Sequence, residues 1–179
     1  MMRLFVALDL PWALKERLSD LAWSGIEGAR WVPTENYHLT LRFIGDTPGY
    51  MAEEIDHALL ALKARGFSLT LAGVGTFSRS GRLSALWVGV ERNPELERLR
   101  GKIETALQRI GLEPERRRFQ PHVTLARLDG LQEVKAARFV AEHNLFRSDP
   151  IDIEHFTLFS SRLGKEQAVY TAEVEYELA

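Results

Sequence analysis

A short tetrapeptide pattern occurs twice in this chain, in similar surroundings and almost half of its 179 residues apart. Each copy reads histidine, aliphatic, threonine, aliphatic, and the copies begin at His38 and His122. A glycine follows each copy, Gly45 or Gly130, and is followed in turn by a stretch with helical spacing of apolar residues. The repetition predicts two similar lobes, each of which contributes one strand to a shared cleft.

The rest of the chain mixes strand and helix patterns. We predict strands for residues 3–10, 31–44, 67–77, 83–91, 119–128, 151–159 and 168–176. We predict helices for 50–64, 94–110 and 131–143, and a further helix that starts at Pro11 and continues up to Gly25. Neighbouring strands joined as hairpins favour an α+β fold over a doubly wound parallel sheet. No Gly/Ser/Pro-rich linker divides the chain, so we expect residues 1–179 to form a single domain.

The composition excludes several kinds of site and setting. The chain has no cysteine, which excludes disulfides, thiolate metal sites and cysteine nucleophiles and fits a reducing cytoplasm. A net charge of −2 means that any contact with nucleic acid is local, at arginine-rich segments such as 79–82 and 116–118. No apolar run approaches the length of a membrane span, so no membrane association is expected.

The tetrapeptide pattern suits phosphodiester chemistry. On a strand, residues i and i+2 share a face, so His38 lies beside Thr40 and His122 beside Thr124. One imidazole can deprotonate an attacking water while the other protonates the departing ribose oxygen. The two threonine hydroxyls can hold the non-bridging phosphate oxygens, where charge accumulates. None of these roles calls for a metal or a cofactor, and we predict neither.

A third copy of the pattern begins at His155, so the surroundings must decide which two copies form a pair. His155 lies between two closing strands with no helix after it, and we place it outside the site. Strict alternation along the first strand also puts Arg42 on the face of His38 and Thr40. We therefore predict that Arg42 binds substrate phosphate.

These motifs resemble those of the two-histidine (2H) phosphoesterases, and within them the RNA 2′,3′-cyclic phosphodiesterases, long called the 2′-5′ RNA ligase family. The resemblance covers nearly the whole chain. It rests on an opening strand, two histidine motifs with their flanks, and a closing hairpin: Arg3–Pro11, Asn36–Gly45, Pro121–Arg127, and Leu158–Ser161 with Tyr170.

The resemblance implies two pseudo-symmetric lobes, each an antiparallel sheet with helices on its outer face, and an active-site cleft between them. It implies that His38 and His122 are catalytic and that Thr40, Thr124 and Arg127 bind the substrate phosphate. Simple alternation from His122 puts Ala126, not Arg127, on the active face, so Arg127 reaches it only where the strand ends or bends first.

The implied reaction is hydrolysis of an RNA 2′,3′-cyclic phosphate end to a 2′-phosphomonoester by a cytoplasmic monomer, with tRNA fragments among the candidate substrates. ATP-independent 2′-5′ ligation is expected as a minor reaction, since the chain has no G-x-x-x-x-G-K loop. Two alternatives stay open. The enzyme could act on small nucleotides such as an ADP-ribose cyclic phosphate, or the chain could bind nucleotides without catalysis.

Overall fold

Ten strands and four α-helices lie within the residues that the structure describes, 1–22 and 25–179 of a computed structural model. The strands are β1 Met2–Asp9, β2 Arg30–Trp31, β3 His38–Thr47, β4 Phe67–Leu69, β5 Leu71–Arg79, β6 Arg82–Val90, β7 His122–Arg127, β8 Ile151–Ile153, β9 His155–Leu163 and β10 Ala168–Glu177. The helices are α1 Trp12–Leu21, α2 Gly49–Leu60, α3 Pro94–Arg109 and α4 Glu133–His143.

The strands form two four-stranded antiparallel sheets, each of which is the centre of one lobe. The first has the order β10-β9-β1-β3 and the second the order β2-β7-β6-β5. Strands β4 and β8 pair separately as a short ladder. Strand β3 at the edge of the first sheet lies beside β7 of the second. The predicted α+β fold with two antiparallel lobes is therefore confirmed.

The first sheet has apolar residues on both faces, and those of the outer face and the cleft face belong to two separate clusters. Leu4 and Val6 of β1 belong to the main hydrophobic core on the outer face. The intervening Phe5 and Ala7 belong to a separate small cluster that includes Phe159. Since successive side chains of a strand alternate between faces, this second cluster marks the cleft side.

Helices cover the outer faces. Helix α2 is joined to the first sheet by the Tyr176 hydroxyl, which donates to the Asp56 carboxylate at 2.7 Å. Helix α4 packs against the second sheet, where the Phe139 and Trp31 ring centroids are 6.2 Å apart. None of the helices in the described ranges is long and apolar enough to span a membrane.

The prediction of one strand over 31–44 is wrong in two respects: the strand is interrupted after Trp31, and it continues beyond residue 44. Pro33 has no N–H to give to a ladder, and a 3-10 helix over Thr34–Asn36 separates β2 from β3. Strand β3 then runs through Gly45 to Thr47. Gly45 has φ +95°, a conformation that a glycine within a strand can adopt at an irregularity, so it does not end the strand as predicted.

Several other predicted boundaries also shift. The strands predicted over 67–77 and 151–159 each divide in two, and the strand predicted over 119–128 shortens to β7. The helix predicted to reach residue 64 ends at Leu60. Trp23 and Ser24, where we expected helical spacing to continue towards Gly25, lie outside the described residues.

The loop predicted between β5 and β6 is a tight turn. Ser80 and Gly81 have φ of 53° and 79°. Two consecutive positive φ values are what a two-residue hairpin turn of type I′ requires, which explains the glycine there.

Candidate active site

The two histidines occupy equivalent positions at the start of β3 and β7. The Nδ1–H of His38 donates to the Asn36 carbonyl oxygen, and that of His122 donates to the Gln120 carbonyl oxygen, both at 2.7 Å. A carbonyl partner requires the proton on Nδ1, so each neutral ring keeps the lone pair of Nε2 for chemistry. The same backbone device therefore orients both imidazoles.

Each threonine shares a face with its histidine. The Thr40 Oγ1 lies 2.9 Å from the His38 Nε2, and both side chains are half-buried. Thr124 is likewise half-buried, two residues after His122 on the same face of β7. The two units lie on neighbouring strands, since β3 of the first sheet contacts β7 of the second. A positive charge on His122 lowers the pKa of His38.

Burial lowers the pKa of both histidines below the ordinary value of 6.5. For His38, the Asn36 carbonyl and the charge of Asp9 oppose this effect, while Lys15 adds to it. For His122, only the Gln120 carbonyl opposes the effect of burial. Both rings are therefore mainly neutral at pH 7 in the free protein, and either can accept a proton.

Aromatic rings form the walls around each histidine. The Phe5 and Tyr170 ring centroids lie 5.0 and 5.3 Å from that of His38. The Phe77 ring contacts His122 edge to face at 4.7 Å. Beside His38 is a cavity of about 140 Å³ that is also lined by Asp9, Lys15 and Phe159. These rings bury part of each imidazole, and burial is the main cause of the lowered pKa of both histidines.

Matched β-bulges follow the two motifs. Val6 pairs with Arg42 and Ala7 with Thr40, so Leu41 is an extra residue in β3. Leu86 pairs with Ala126 and Trp87 with Thr124, so Leu125 is an extra residue in β7. A bulge places two consecutive residues of one strand against one residue of its partner and reverses the alternation beyond it.

The bulge in β7 moves Arg127 onto the cleft face. Leu125 and Ala126 are both buried on the core side, and the next residue, Arg127, is exposed on the side of His122 and Thr124. Simple alternation would have placed Ala126 there. The condition that the strand bend before Arg127 is therefore met.

A profile of the 2′-5′ RNA ligase superfamily matches residues 12–165 of the chain. The chain belongs to this superfamily. The RNA 2′,3′-cyclic phosphodiesterase of Aeropyrum pernix is 34% identical over 166 residues, which cover 91% of this chain and 94% of that protein. The Escherichia coli protein of the same name is 32% identical over 174 residues, covering 94% and 92%.

Solved structures of this superfamily have the same architecture. The crystal structure of E. coli LigT complexed with 3′-AMP aligns with 99% of this chain and 98% of its own. The TM-score is 0.82 and the sequence identity 25%. The bilobal fold described above is thus that of the superfamily.

The prediction that Arg42 binds substrate phosphate is wrong, because the bulge at Leu41 turns its side chain away from the cleft. Arg42 is buried and its Nε donates to the Glu104 carboxylate of α3 at 2.7 Å. Its other nitrogens donate to the carbonyl oxygens of Phe43 and Glu113. Arg42 therefore joins β3 to α3 and to the segment that follows it.

His155 lies away from the paired motifs, at the start of β9. Its Nε2 is 4.0 Å from the Glu175 carboxylate. It borders an open groove of about 620 Å³, which is not lined by His38, Thr40, His122 or Thr124. This placement agrees with its predicted position outside the site.

Sequence reasoning missed Lys15, which supports the turn before His38. Its buried Nζ donates to the Glu35 carbonyl oxygen and pairs with the Asp9 carboxylate, each at 2.9 Å. The 3-10 helix that supplies the Asn36 carbonyl is thereby held against α1. The available signal was a lysine between Leu14 and Leu18, within the apolar stripe of an amphipathic helix.

Proposed function

We propose that this chain hydrolyses RNA 2′,3′-cyclic phosphate ends to 2′-phosphomonoesters, with His38 and His122 as its acid–base pair. The observation that carries the proposal is the pair of His-x-Thr units on neighbouring strands, each with its Nδ1–H bonded to a backbone carbonyl. The names of the relatives support the same reaction and favour RNA over small nucleotides such as ADP-ribose cyclic phosphate.

The reaction uses the two Nε2 atoms in sequence. One neutral imidazole takes a proton from water as the water oxygen forms a bond to phosphorus. The bond from phosphorus to the 3′ oxygen breaks, and the other imidazole, protonated, gives its Nε2 proton to that oxygen. A 2′-phosphomonoester and a free 3′-hydroxyl result, and exchange with solvent restores the initial protonation of the two rings.

In this proposal the two threonines bind the reacting phosphate, and Arg127 binds substrate phosphate further along the cleft. The hydroxyls of Thr40 and Thr124 donate to the non-bridging oxygens, where negative charge grows in the transition state. Arg127 adds a positive charge on the cleft face. A 5′-hydroxyl in place of water would give a 2′-5′ linkage without ATP, as a minor reaction because water is far more abundant.

The setting of the enzyme is part of the proposal. We place it in the cytoplasm as a monomer and a single bilobal domain over residues 1–179, with RNA fragments, including those of tRNA, as substrates. Size-exclusion chromatography with light scattering tests the monomer independently of activity.

Hydrolysis of an RNA that ends in 2′,3′-cyclic phosphate, measured with EDTA present, tests the function. We expect full activity after exhaustive chelation, because every proposed proton transfer and phosphate contact comes from a side chain. The product should be the 2′-phosphomonoester alone, identified by chromatography against both isomers. Activity that disappears with EDTA and returns with a divalent metal would contradict the two-histidine mechanism.

The pH dependence of kcat/KM should be bell-shaped, with its maximum below pH 6.5. In such a profile the two limbs report the pKa values of base and acid in the free enzyme. Burial lowers both pKa values, so both limbs move towards acid. The measurement is initial rates at limiting substrate across pH 4 to 9, in buffers of constant ionic strength.

Lys15→Met supplies the matched comparison for this profile. It removes a cation that lowers the pKa of His38 and leaves the Asp9 carboxylate, which raises it. One limb should therefore move to higher pH while the other stays in place. A profile that keeps both limbs unmoved would show that His38 is not one of the two titrating groups.

A further inference from the structure

Two arginines lie directly opposite each other on the second sheet. In the antiparallel pairing of β2 with β7, Arg30 is the partner of Arg127 and Trp31 is the partner of Ala126. Trp31 packs on Phe139 of α4 and Ala126 is buried, so that pair faces the outer helix layer. Because directly opposed residues share a face, Arg30 and Arg127 both face the cleft.

This arrangement is unfavourable for the protein alone. Like charges directly opposite each other in a sheet repel and reduce its stability. Both arginines are exposed, and neither forms an ion pair with a carboxylate anywhere in the ranges that the structure describes. A polyanion bound at this position would remove the repulsion and give both guanidinium groups a partner.

More positive charge lies at the same end of the sheet. Arg79 and Arg82 pair across the turn of the β5–β6 hairpin, just beyond the Ala85–Arg127 pair. Arg82 donates to the Asp129 carbonyl oxygen rather than to a carboxylate. The protein as a whole carries a net charge of −2. Positive charge is therefore concentrated at this end of the cleft, as local RNA binding requires.

The Arg30–Arg127 pair is displaced along the cleft from the reacting centre. Arg127 lies five residues after His122, but the extra residue of the bulge adds no length to the strand. Four steps of ~3.3 Å place the two Cα atoms roughly 13 Å apart. Arg30 is on the strand beyond. A guanidinium at this distance is placed for the phosphate next to the one that reacts.

We propose that Arg30, together with Arg127, forms a second phosphate subsite, which binds the internucleotide phosphate on the 5′ side of the terminal cyclic phosphate. The subsite gives the enzyme its preference for an RNA chain over a mononucleotide. This inference rests on the function proposed above and adds to it the residue that selects the length of the substrate.

The test compares two substrates with Arg30→Ala: a nucleoside 2′,3′-cyclic phosphate, and a trinucleotide that ends in the same group. We expect the ratio of their kcat/KM values, trinucleotide over mononucleotide, to fall on the order of tenfold, the usual effect of one charged hydrogen bond. Arg30→Lys, which keeps a charge, should keep most of the ratio. Arg98→Ala on α3, where the arginine is exposed and far from the cleft, is the matched control and should leave the ratio unchanged.

Salt dependence gives an independent readout. One lost phosphate contact on a single strand should reduce the slope of log affinity against log salt by about 0.7. A trinucleotide-to-mononucleotide ratio that stays at the parent value in Arg30→Ala, with an unchanged salt slope, would overturn the subsite.

Binding separates this inference from the proposed function. If the parent protein hydrolysed neither substrate, the proposed function would fail. Fluorescence anisotropy with a labelled trinucleotide would then still test the subsite. Weaker binding by Arg30→Ala than by Arg98→Ala would support it, and equal binding would reject it.

Discussion

Alanine at His38 or at His122 lowers kcat/KM for RNA ending in 2′,3′-cyclic phosphate by about 10²- to 10⁴-fold in each case, the range for loss of a general acid or base. Each substitution removes the only Nε2 of its unit, and the partner histidine cannot act as acid and base in one turnover. Initial rates on a labelled oligonucleotide measure the effect.

The double variant sharpens this expectation. Residues that act as a unit in catalysis have effects that do not add. The His38→Ala/His122→Ala variant should therefore retain nearly as much activity as either single variant. Circular dichroism and thermal unfolding should be close to those of the parent, since both side chains are only half-buried.

His155→Ala is the matched control, because the same residue type is removed from the same short pattern. His155 borders a different groove and contacts a carboxylate of β10. Turnover within a factor of about two of the parent is expected, in line with the small effect of a surface substitution. A loss comparable to that of His38→Ala would mean that the active site has been assigned to the wrong pair of motifs.

Arg42→Ala should destabilise the protein by about 3–5 kcal/mol, the usual cost of removing one partner of a buried ion pair. The pair between Arg42 and Glu104 is 8% and 10% exposed, and the substitution leaves the carboxylate buried without its main counter-charge. For a domain of this size, the melting temperature should fall by roughly 10 °C. Urea unfolding monitored by tryptophan fluorescence measures the free energy directly.

The stability that Glu104 supplies should be lost in acid. Burial alone would raise the pKa of its carboxyl, but hydrogen bonds from Arg42, from the Glu115 backbone N–H and from Gln108 lower it to about 2. Because the folded pKa lies below the ordinary 4.5, this stability is complete above pH 4.5 and is lost as the pH falls towards 2. In Arg42→Ala, the unfolding free energy should depend less steeply on pH between 4.5 and 2. A pH dependence of the unfolding free energy as steep as that of the parent would contradict the ion pair between Arg42 and Glu104.

The catalytic candidates could be identified from the sequence because a histidine and a threonine two residues apart must share a face of a strand. The repetition of that pattern with similar flanks also predicted two lobes, and the lobes are confirmed. His155 shows the limit of the short pattern. Only its surroundings, a hairpin without a following helix, separated it from the other two copies.

The bulges could not be predicted, and they account for the error at Arg42. The alternation of side chains along a strand does not show in the sequence where a bulge inserts an extra residue. Alternation counted past Leu41 therefore gives the wrong face for Arg42. Past Leu125 it gives the wrong face for Arg127. Lys15 was missed for a different reason: a buried lysine is explained by its partners, and these come from β1 and from the turn before β3.

The two bulges place unlike residues at equivalent positions, Phe43 in one lobe and Arg127 in the other. Phe43 is 39% exposed and the Arg3 guanidinium lies 5.4 Å from its ring centroid, whereas Arg127 faces another arginine. A site with true two-fold symmetry would accept a ribose cyclic phosphate in either of two orientations and would release either ester oxygen. The two positions differ in this protein, an aromatic ring in one lobe and a cation in the other, so its cleft lacks that two-fold symmetry. We therefore expect a single orientation of the ring and a single ester product.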